Sequence, residues 1–279
     1  MKKYWVPGLA ALLCAMAVLA GCGHSQAQQT QSGGQDGAPD AGYNAGNGDV
    51  VQLNGFREID IEWISGQVDV VLYDGEGIEL SETLMDGSAV SLKMEWQVNE
   101  DEGTLDIRSQ PQLMSAAEEK YLVVKLPRSL VLHGLDIETV SAGVLVDLTD
   151  EDTLTLQELD VTSVSGAVSV YAANAGEISL STTSGSVGGS VRTGKLEAES
   201  VSGSINLTLD TTPTEVEAEN GSGSVVLRLR DRSSVPSPLP VTFRTVSGKL
   251  SGNVDFQTAE HALWEFETGS GNVELLTVQ

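Results

Sequence analysis

Beyond residue 49, apolar and polar residues alternate with a period of two over short stretches. The stretches are punctuated by a recurring Ser-Gly pair, as in Val164-Ser165-Gly166-Ala167-Val168, Val201-Ser202-Gly203-Ser204-Ile205 and Gly269-Ser270-Gly271-Asn272-Val273. Strict alternation predicts strands with one buried face. With the glycine of each phrase as origin, copies fall at Gly66, Gly166, Gly185, Gly203, Gly223, Gly248 and Gly271, with Ala142 at the origin of an imperfect copy. The residue before the origin is serine in all of them: Ser65, Ser141, Ser165, Ser184, Ser202, Ser222, Ser247 and Ser270. Positions five and seven before it, and two after it, are apolar throughout. Position four after it is apolar except at Gly189 and Gly252. From Ala142 onward the intervals are 24, 19, 18, 20, 25 and 23 residues, the length of one solenoid coil or of one strand pair with its turns.

Two arrangements accommodate this repeat. In a parallel β-helix each copy is one coil, and equivalent strands stack in register. In an antiparallel array Ser-Gly is a tight hairpin turn. The near-identity of residue type at equivalent positions favours stacking like on like. Glycine suits a repeated bend because it tolerates backbone angles closed to other residues, and serine suits local bonding to the backbone there. Three positions before the origin stand Trp63, Thr139, Ser163, Thr182, Ser200, Asn220, Thr245 and Thr268, polar in all but the first. If these ladders point inward, they must be satisfied by one another or by backbone. No convincing helical period appears, so the chain reads as all-β. Residues 78–98 read as further strands, with Val90, Leu92, Met94 and Trp96 alternating. Trp63, Met94, Trp96 and Tyr121 suit an irregular cap over the first coil, and Trp264 and Phe266 suit the far end of the core. Arg228 to Pro240, with three prolines in its last five residues, reads as an inserted loop.

The start of the chain is of another kind. Lys2 and Lys3 precede an apolar run from Val6 to Ala20, which ends in Leu19-Ala20-Gly21-Cys22. The run is short for a spanning helix and reads as an export signal. Its last four residues resemble the lipobox of bacterial lipoproteins. That likeness implies cleavage before Cys22, lipidation of Cys22 and a location in the bacterial cell envelope, lipid-anchored and facing outside the cytoplasm. Residues 1–22 are then the signal, 23–48 a flexible tether rich in Gln, Gly, Ser and Ala, and 49–279 the β domain.

Composition narrows the chemistry. The formal charge is −25, so nucleic acid is an unsuitable partner. The two cysteines are Cys14 and Cys22, which leaves none in the β domain for a disulfide or a thiol nucleophile. His24, His133 and His261 are scattered and lie in no metal motif. The densest acidic cluster is Asp147, Asp150, Glu151 and Asp152. Its carboxylates suit Ca²⁺, but it lacks the EF-hand spacing, and a solvated acidic turn accounts for the same residues. Serines occupy corners rather than a nucleophile elbow. No cofactor, catalytic residue or firm metal site is expected.

The Ser-Gly-x-Val phrases, together with Tyr121-Leu122-Val123-Val124-Lys125-Leu126-Pro127, resemble the DUF4097 family of bacterial β-strand-repeat proteins, also labelled adhesin candidates. The resemblance covers roughly residues 55–276. It implies a right-handed, parallel β-helix-like solenoid of Ser-Gly-centred repeats with an irregular N-terminal layer, displayed at a surface. It brings no established catalytic residues. The expected role is a non-catalytic, surface-anchored binding or adhesive module contacting a cell-surface glycan or protein. The alternatives are a structural or envelope-maintenance lipoprotein and, less favoured, a polysaccharide-active β-helix enzyme.

Overall fold

Strands stack on strands of like sequence, and the pairing is parallel throughout the repeats. In a computed structural model, the structure describes residues 42–46, 50–51, 56–91, 93–110, 119–149, 154–231 and 233–278. All of these lie in one unit, Pro39–Gln279. No helix occurs among the described residues.

Each coil has one strand before the Ser-Gly corner and one after it. The strands after the corner include Gly66–Tyr73, Gly143–Asp147, the first part of Val168–Thr182, Ile205–Leu209, Val225–Leu229 and Val273–Thr277. Their apolar position two after the corner forms one row. In spatial order it runs Val68, Val144, Val168, Val187, Ile205, Val225, Val273 and Leu250. The strands before the corner stack likewise, with Ile61, Ile137, Val161, Leu180, Ala198, Ala218, Phe266 and Phe243 in one row. These rows are the core of the solenoid and are buried almost throughout. The parallel arrangement therefore holds. Antiparallel pairing is confined to the irregular front.

The order of coils in space differs from their order in sequence at both ends. At the back, Trp264–Thr268 lies between Glu215–Asn220 and Leu239–Thr245, and Val273–Thr277 lies between Val225–Leu229 and Leu250–Gly252. The coil around Gly248 is thus outermost, and the last repeat in sequence is inserted beneath it. Trp264 and Phe266 are accordingly interior residues and do not form the end of the core. The Trp264 indole N–H donates to the Pro213 carbonyl at 3.3 Å. At the front, Thr104–Arg108 and Lys120–Pro127 sit outside the Gly66 coil, and Gly134–Thr139 and Gly143–Asp147 return to its inner side.

The front is closed by two antiparallel strands. Ile78–Leu84 pairs with Lys120–Pro127, and Glu95–Asn99 pairs with Thr104–Arg108. Among its described residues, the interval between the two cap strands holds a turn and not the continued strand that its alternation predicts; Leu92 lies outside the described residues. Ion pairs join cap to solenoid. Lys120 Nζ lies 3.4 Å from the fully buried Glu82 carboxylate and 5.7 Å from the Trp63 ring centroid. Arg108 pairs with Glu95 at 2.8 Å and lies 3.8 Å over the Tyr43 ring. Asn44–Ala45, inside the stretch read as tether, pairs with Glu95 and Trp96. The Arg228–Pro240 stretch is strand up to Leu229 and strand again from Leu239, so the loop proper is shorter than its sequence bounds.

Candidate functional site

The Ser-Gly corner faces two ways. Ser163, Thr182, Ser200, Asn220 and Thr268, three residues before the origin, point inward and are buried. Ser163 Oγ accepts from the Gly166 N–H at 2.8 Å and lies 2.9 Å from Thr139 Oγ1. Thr182 Oγ1 accepts from the Gly185 N–H at 3.0 Å and donates to the carbonyl of Gly166, one coil below, at 3.3 Å. Ser200 repeats this with Gly203 and Gly185 at 2.8 and 3.2 Å. Thr182 and Ser200 thus tie their own corner to the corner beneath and are fully paired. Asn220 Nδ2 donates to the Gly203 carbonyl at 2.7 Å, while its buried Oδ1 has no partner among the described residues. Thr268 Oγ1 bonds Thr245 Oγ1 and the Gly271 carbonyl at 3.0 and 2.9 Å. The hydroxyls of the serines just before the origin bond backbone rather than one another. Ser141, Ser165, Ser202 and Ser222 face solvent and donate to carbonyls of the preceding coil at 3.1–3.4 Å.

The corner glycines are required by proximity, not by turn angle. A Cβ at Gly166, Gly185, Gly203, Gly223, Gly248 or Gly271 would lie 1.6–1.9 Å from the carbonyl oxygen of the neighbouring corner. None of these has a positive φ. Gly66 does, at +100°, and so do the two departures from the apolar pattern, Gly189 at +128° and Gly252 at +145°.

With the interior committed to packing and coil-to-coil bonds, the groups that can meet another molecule lie outside. The outer face of the strands before the corner is acidic. Six residues before the origins stand, in register, Asp60, Asp136, Asp160, Ser179, Glu197, Glu217, Glu265 and Thr242, a row that Asp106 of the strand outside the first coil extends. Four before, it runs Arg108, Glu62, Glu138, Thr162, Ser181, Glu199, Glu219 and Glu267, with Arg244 last. Neighbouring strands in a sheet are about 4.8 Å apart, so these carboxylates crowd one another. Partial desolvation, followed by the neighbouring negative charges, pushes Asp60 and Asp160 up to about 6 and Asp136, Glu197 and Glu199 up to about 7. Glu138, Glu217 and Glu219 are raised for the same reasons. Among the described residues of this face, the cations stand at the margins: Arg108 bonds Glu95, Lys195 bonds Glu177, and Arg244 bonds Glu265. A shallow recess of about 290 Å³ opens in this face where Gly134 stands in register between Glu58 and Glu158.

The outer face after the corner is of another character. In register it presents Asp69, Leu145, Ser169, Gly188, Asn206 and Val226, with Tyr171 exposed beside them. At the outermost coil, Thr242, Phe243, Arg244, Thr258 and His261 line a second recess of about 380 Å³. His261 takes a left-handed backbone there, with φ +59°.

Of the residues singled out in the sequence, Cys22, Asp150, Glu151 and Asp152 lie outside the described residues. Asp147 is described. It is half-buried, and its carboxylate accepts from the Thr149 N–H at 3.0 Å. Alternation in the sequence already puts Glu197, Glu199, Glu215, Glu217 and Glu219 on the outward face, and strand register joins this face to Asp60, Asp136 and Asp160 at the other end. Chemically, they offer a long anionic strip whose charge changes between about pH 5 and 7.

No curated protein matches the chain significantly. Solved structures do. A candidate lipid-binding protein from Parabacteroides distasonis is 14% identical, with a TM-score of 0.47, covering 86% of this chain and 98% of that one. An adhesin candidate from Bacteroides fragilis is 15% identical, with a TM-score of 0.43, covering 85% and 98%. A family model described as Toastrack DUF4097 matches residues 56–279, and the chain belongs to that family.

Proposed function

We propose that this protein is a non-catalytic binding module, held at the outside of a bacterial cell by a lipid on Cys22, and that its ligand is met by the outer faces of the solenoid. The observation that carries the reading is the division of polar groups. Inner hydroxyls are consumed in coil-to-coil bonds such as Ser200 to Gly185 and Gly203, and the remaining polar side chains are spread over two broad strand faces. Extended repeat surfaces of this kind suit contact with a polymer or a protein rather than enclosure of a small substrate. The lipobox likeness and the polar stretch after Cys22 support the anchored arrangement.

The test uses cells that display the full chain and cells that express the Cys22→Ser variant. Display is expected to make cells adhere to at least one member of a panel of glycans, wall fragments and matrix proteins. The variant is expected to lose acyl labelling and leave the membrane fraction. Adhesion equal to that of cells lacking the protein, across the panel, would overturn the binding role. Retention of Cys22→Ser in the membrane would overturn the anchor.

A further inference from the structure

We propose that the stacked carboxylates on the outer face before the corner form a proton-responsive ladder, which tightens the solenoid on acidification. The inference stands on strand register. Asp136 is flanked by Asp60 on one neighbouring strand and Asp160 on the other, with Glu138 and Glu158 beside them. Asp60 also faces Asp106, which accepts from Thr104 Oγ1 at 2.7 Å and Gln97 Nε2 at 2.8 Å. Further along, Glu197 faces Glu217 and Ser179, and Glu199 faces Glu219 and Ser181. Glu217 and Glu219 in turn face Glu265 and Glu267. The cations bordering the ladder are already engaged: Arg108 with Glu95, Lys195 with Glu177, and Arg244 with Glu265. His133 lines the recess beside Asp136.

Like charges directly opposite on adjacent strands destabilise the pairing. At physiological salt the screening length is about 8 Å, longer than the strand spacing of about 4.8 Å, so salt screens only part of the repulsion. The parallel stack fixes the spacing because the inner rows are close-packed. The carboxylates relieve the strain by taking up protons.

The sign follows from linkage. Folding raises the affinity of these groups for protons above that of the unfolded chain, where carboxylates titrate near 4. Between about pH 4 and 7 the native state therefore binds more protons than the unfolded one, and stability rises as pH falls through that window. With allowance for the partial exposure of these side chains, the native excess at pH 6 is roughly two protons.

The experiment is thermal unfolding of the full chain from pH 8 to pH 5 in 0.15 M salt, paired with acid–base titration of the native and urea-unfolded forms. The unfolding midpoint is expected to rise by about 5 °C or more on going to pH 5. The native form is expected to hold the proton excess. The triple variant Asp136→Asn, Glu197→Gln, Glu199→Gln is expected to raise the midpoint at pH 8 and to flatten the profile. Glu79→Gln, which removes a carboxylate paired with Lys125, is expected to leave the slope unchanged. A midpoint that is flat or falls toward pH 5 would overturn the proposal. So would a triple variant with the wild-type slope, which would assign the effect to overall charge. If the variant does not fold, the titration decides alone: equal proton binding by native and unfolded chains at pH 6 refutes the ladder.

Discussion

Replacing Gly203 by alanine isolates the physical reason for the corner glycine. A Cβ there would lie 1.6 Å from the Gly185 carbonyl oxygen, 2.5 Å from its carbon and 2.9 Å from Ser200 Oγ. The two nearest obstructing atoms are backbone and belong to the coil below, so no rotamer change relieves the contact. Two coils must separate locally, or the corner must move outward. Either response stretches the Ser200 bonds to Gly185 and Gly203 at 3.2 and 2.8 Å. Overpacking a close-packed interior costs about 1–3 kcal/mol and sometimes more. With two strained corner bonds added, about 3 kcal/mol is expected for Gly203→Ala. Urea unfolding followed by far-UV circular dichroism is the assay. The urea dependence of small domains, about 1–3 kcal/mol per molar, makes that loss a fall of about 1 M or more in midpoint. Gly203→Asn is the discriminating variant. Asparagine tolerates a left-handed backbone better than alanine does, so an angular requirement would make it the milder change. The proximity requirement makes it at least as damaging. A Gly203→Ala midpoint within about 0.2 M of the wild type, or clear rescue by asparagine, would refute the close-approach account.

Other expectations follow from the same architecture. Ser163→Ala removes the acceptor of the Gly166 N–H and the neighbour of Thr139 Oγ1; a buried donor left unpaired costs about 1–3 kcal/mol, and urea unfolding reads it. Ser163→Thr restores the oxygen in the form found at Thr182 and is expected to recover most of the loss. Glu82→Gln takes the charge from the carboxylate facing Lys120 at 3.4 Å. Breaking a buried pair costs about 3–5 kcal/mol, and here the loss is expected at the front of the rod, so fluorescence of Trp63 and Trp96 should change before that of Trp264. A Glu82→Met, Lys120→Met double variant is expected to be more stable than Glu82→Gln alone, because it leaves no charge at the site; lower stability of the double variant would count against the charge argument.

The repeat was legible because inward residues follow a period of two and stacked coils demand the same residue type at the same offset. Val168, Val187 and Ile205 are partners in the structure because they share an offset from the origin. The inward direction of the threonine and serine ladder stands only as a condition in the sequence, and burial decides it: Ser163 and Thr182 continue the inward alternation of Val161 and Leu180. The reason for the glycines did not follow. A requirement for unusual φ and a requirement for close approach leave the same letter in the sequence, and the angular requirement holds at Gly66, Gly189 and Gly252 but not at Gly203. The acidic rows were present as scattered Asp and Glu, and their crowding emerges once register joins Asp60, Asp136 and Asp160, which are far apart in the chain.

The ends of the rod show why local pattern cannot set global order. Phe243 and Phe266 occupy the same offset, and either fits the row above Ala218. The structure seats Phe266 there, with Phe243 on top. What differs between the two coils is the rest of each strand. Trp264–Thr268 alternates cleanly, with Trp264, Phe266 and Thr268 buried, and its outer Glu265 and Glu267 continue the acidic rows. The strand after the Gly248 corner is short and ends at Gly252 with a positive φ, and Arg244 faces out from the strand before it. Short, bent and charged strands suit a sheet edge, because they discourage further pairing. The better strand is therefore placed inside and the poorer one outside, although the chain must move outward between Leu229 and Leu239 and then come back. The front follows the same rule in its own way, with Thr104–Arg108 and Lys120–Pro127 passing outside the first coil and antiparallel strands closing over them. Placement in the stack is decided by which strand tolerates an exposed edge, and that is a property of whole strands compared with one another, which a repeat aligned copy by copy does not contain.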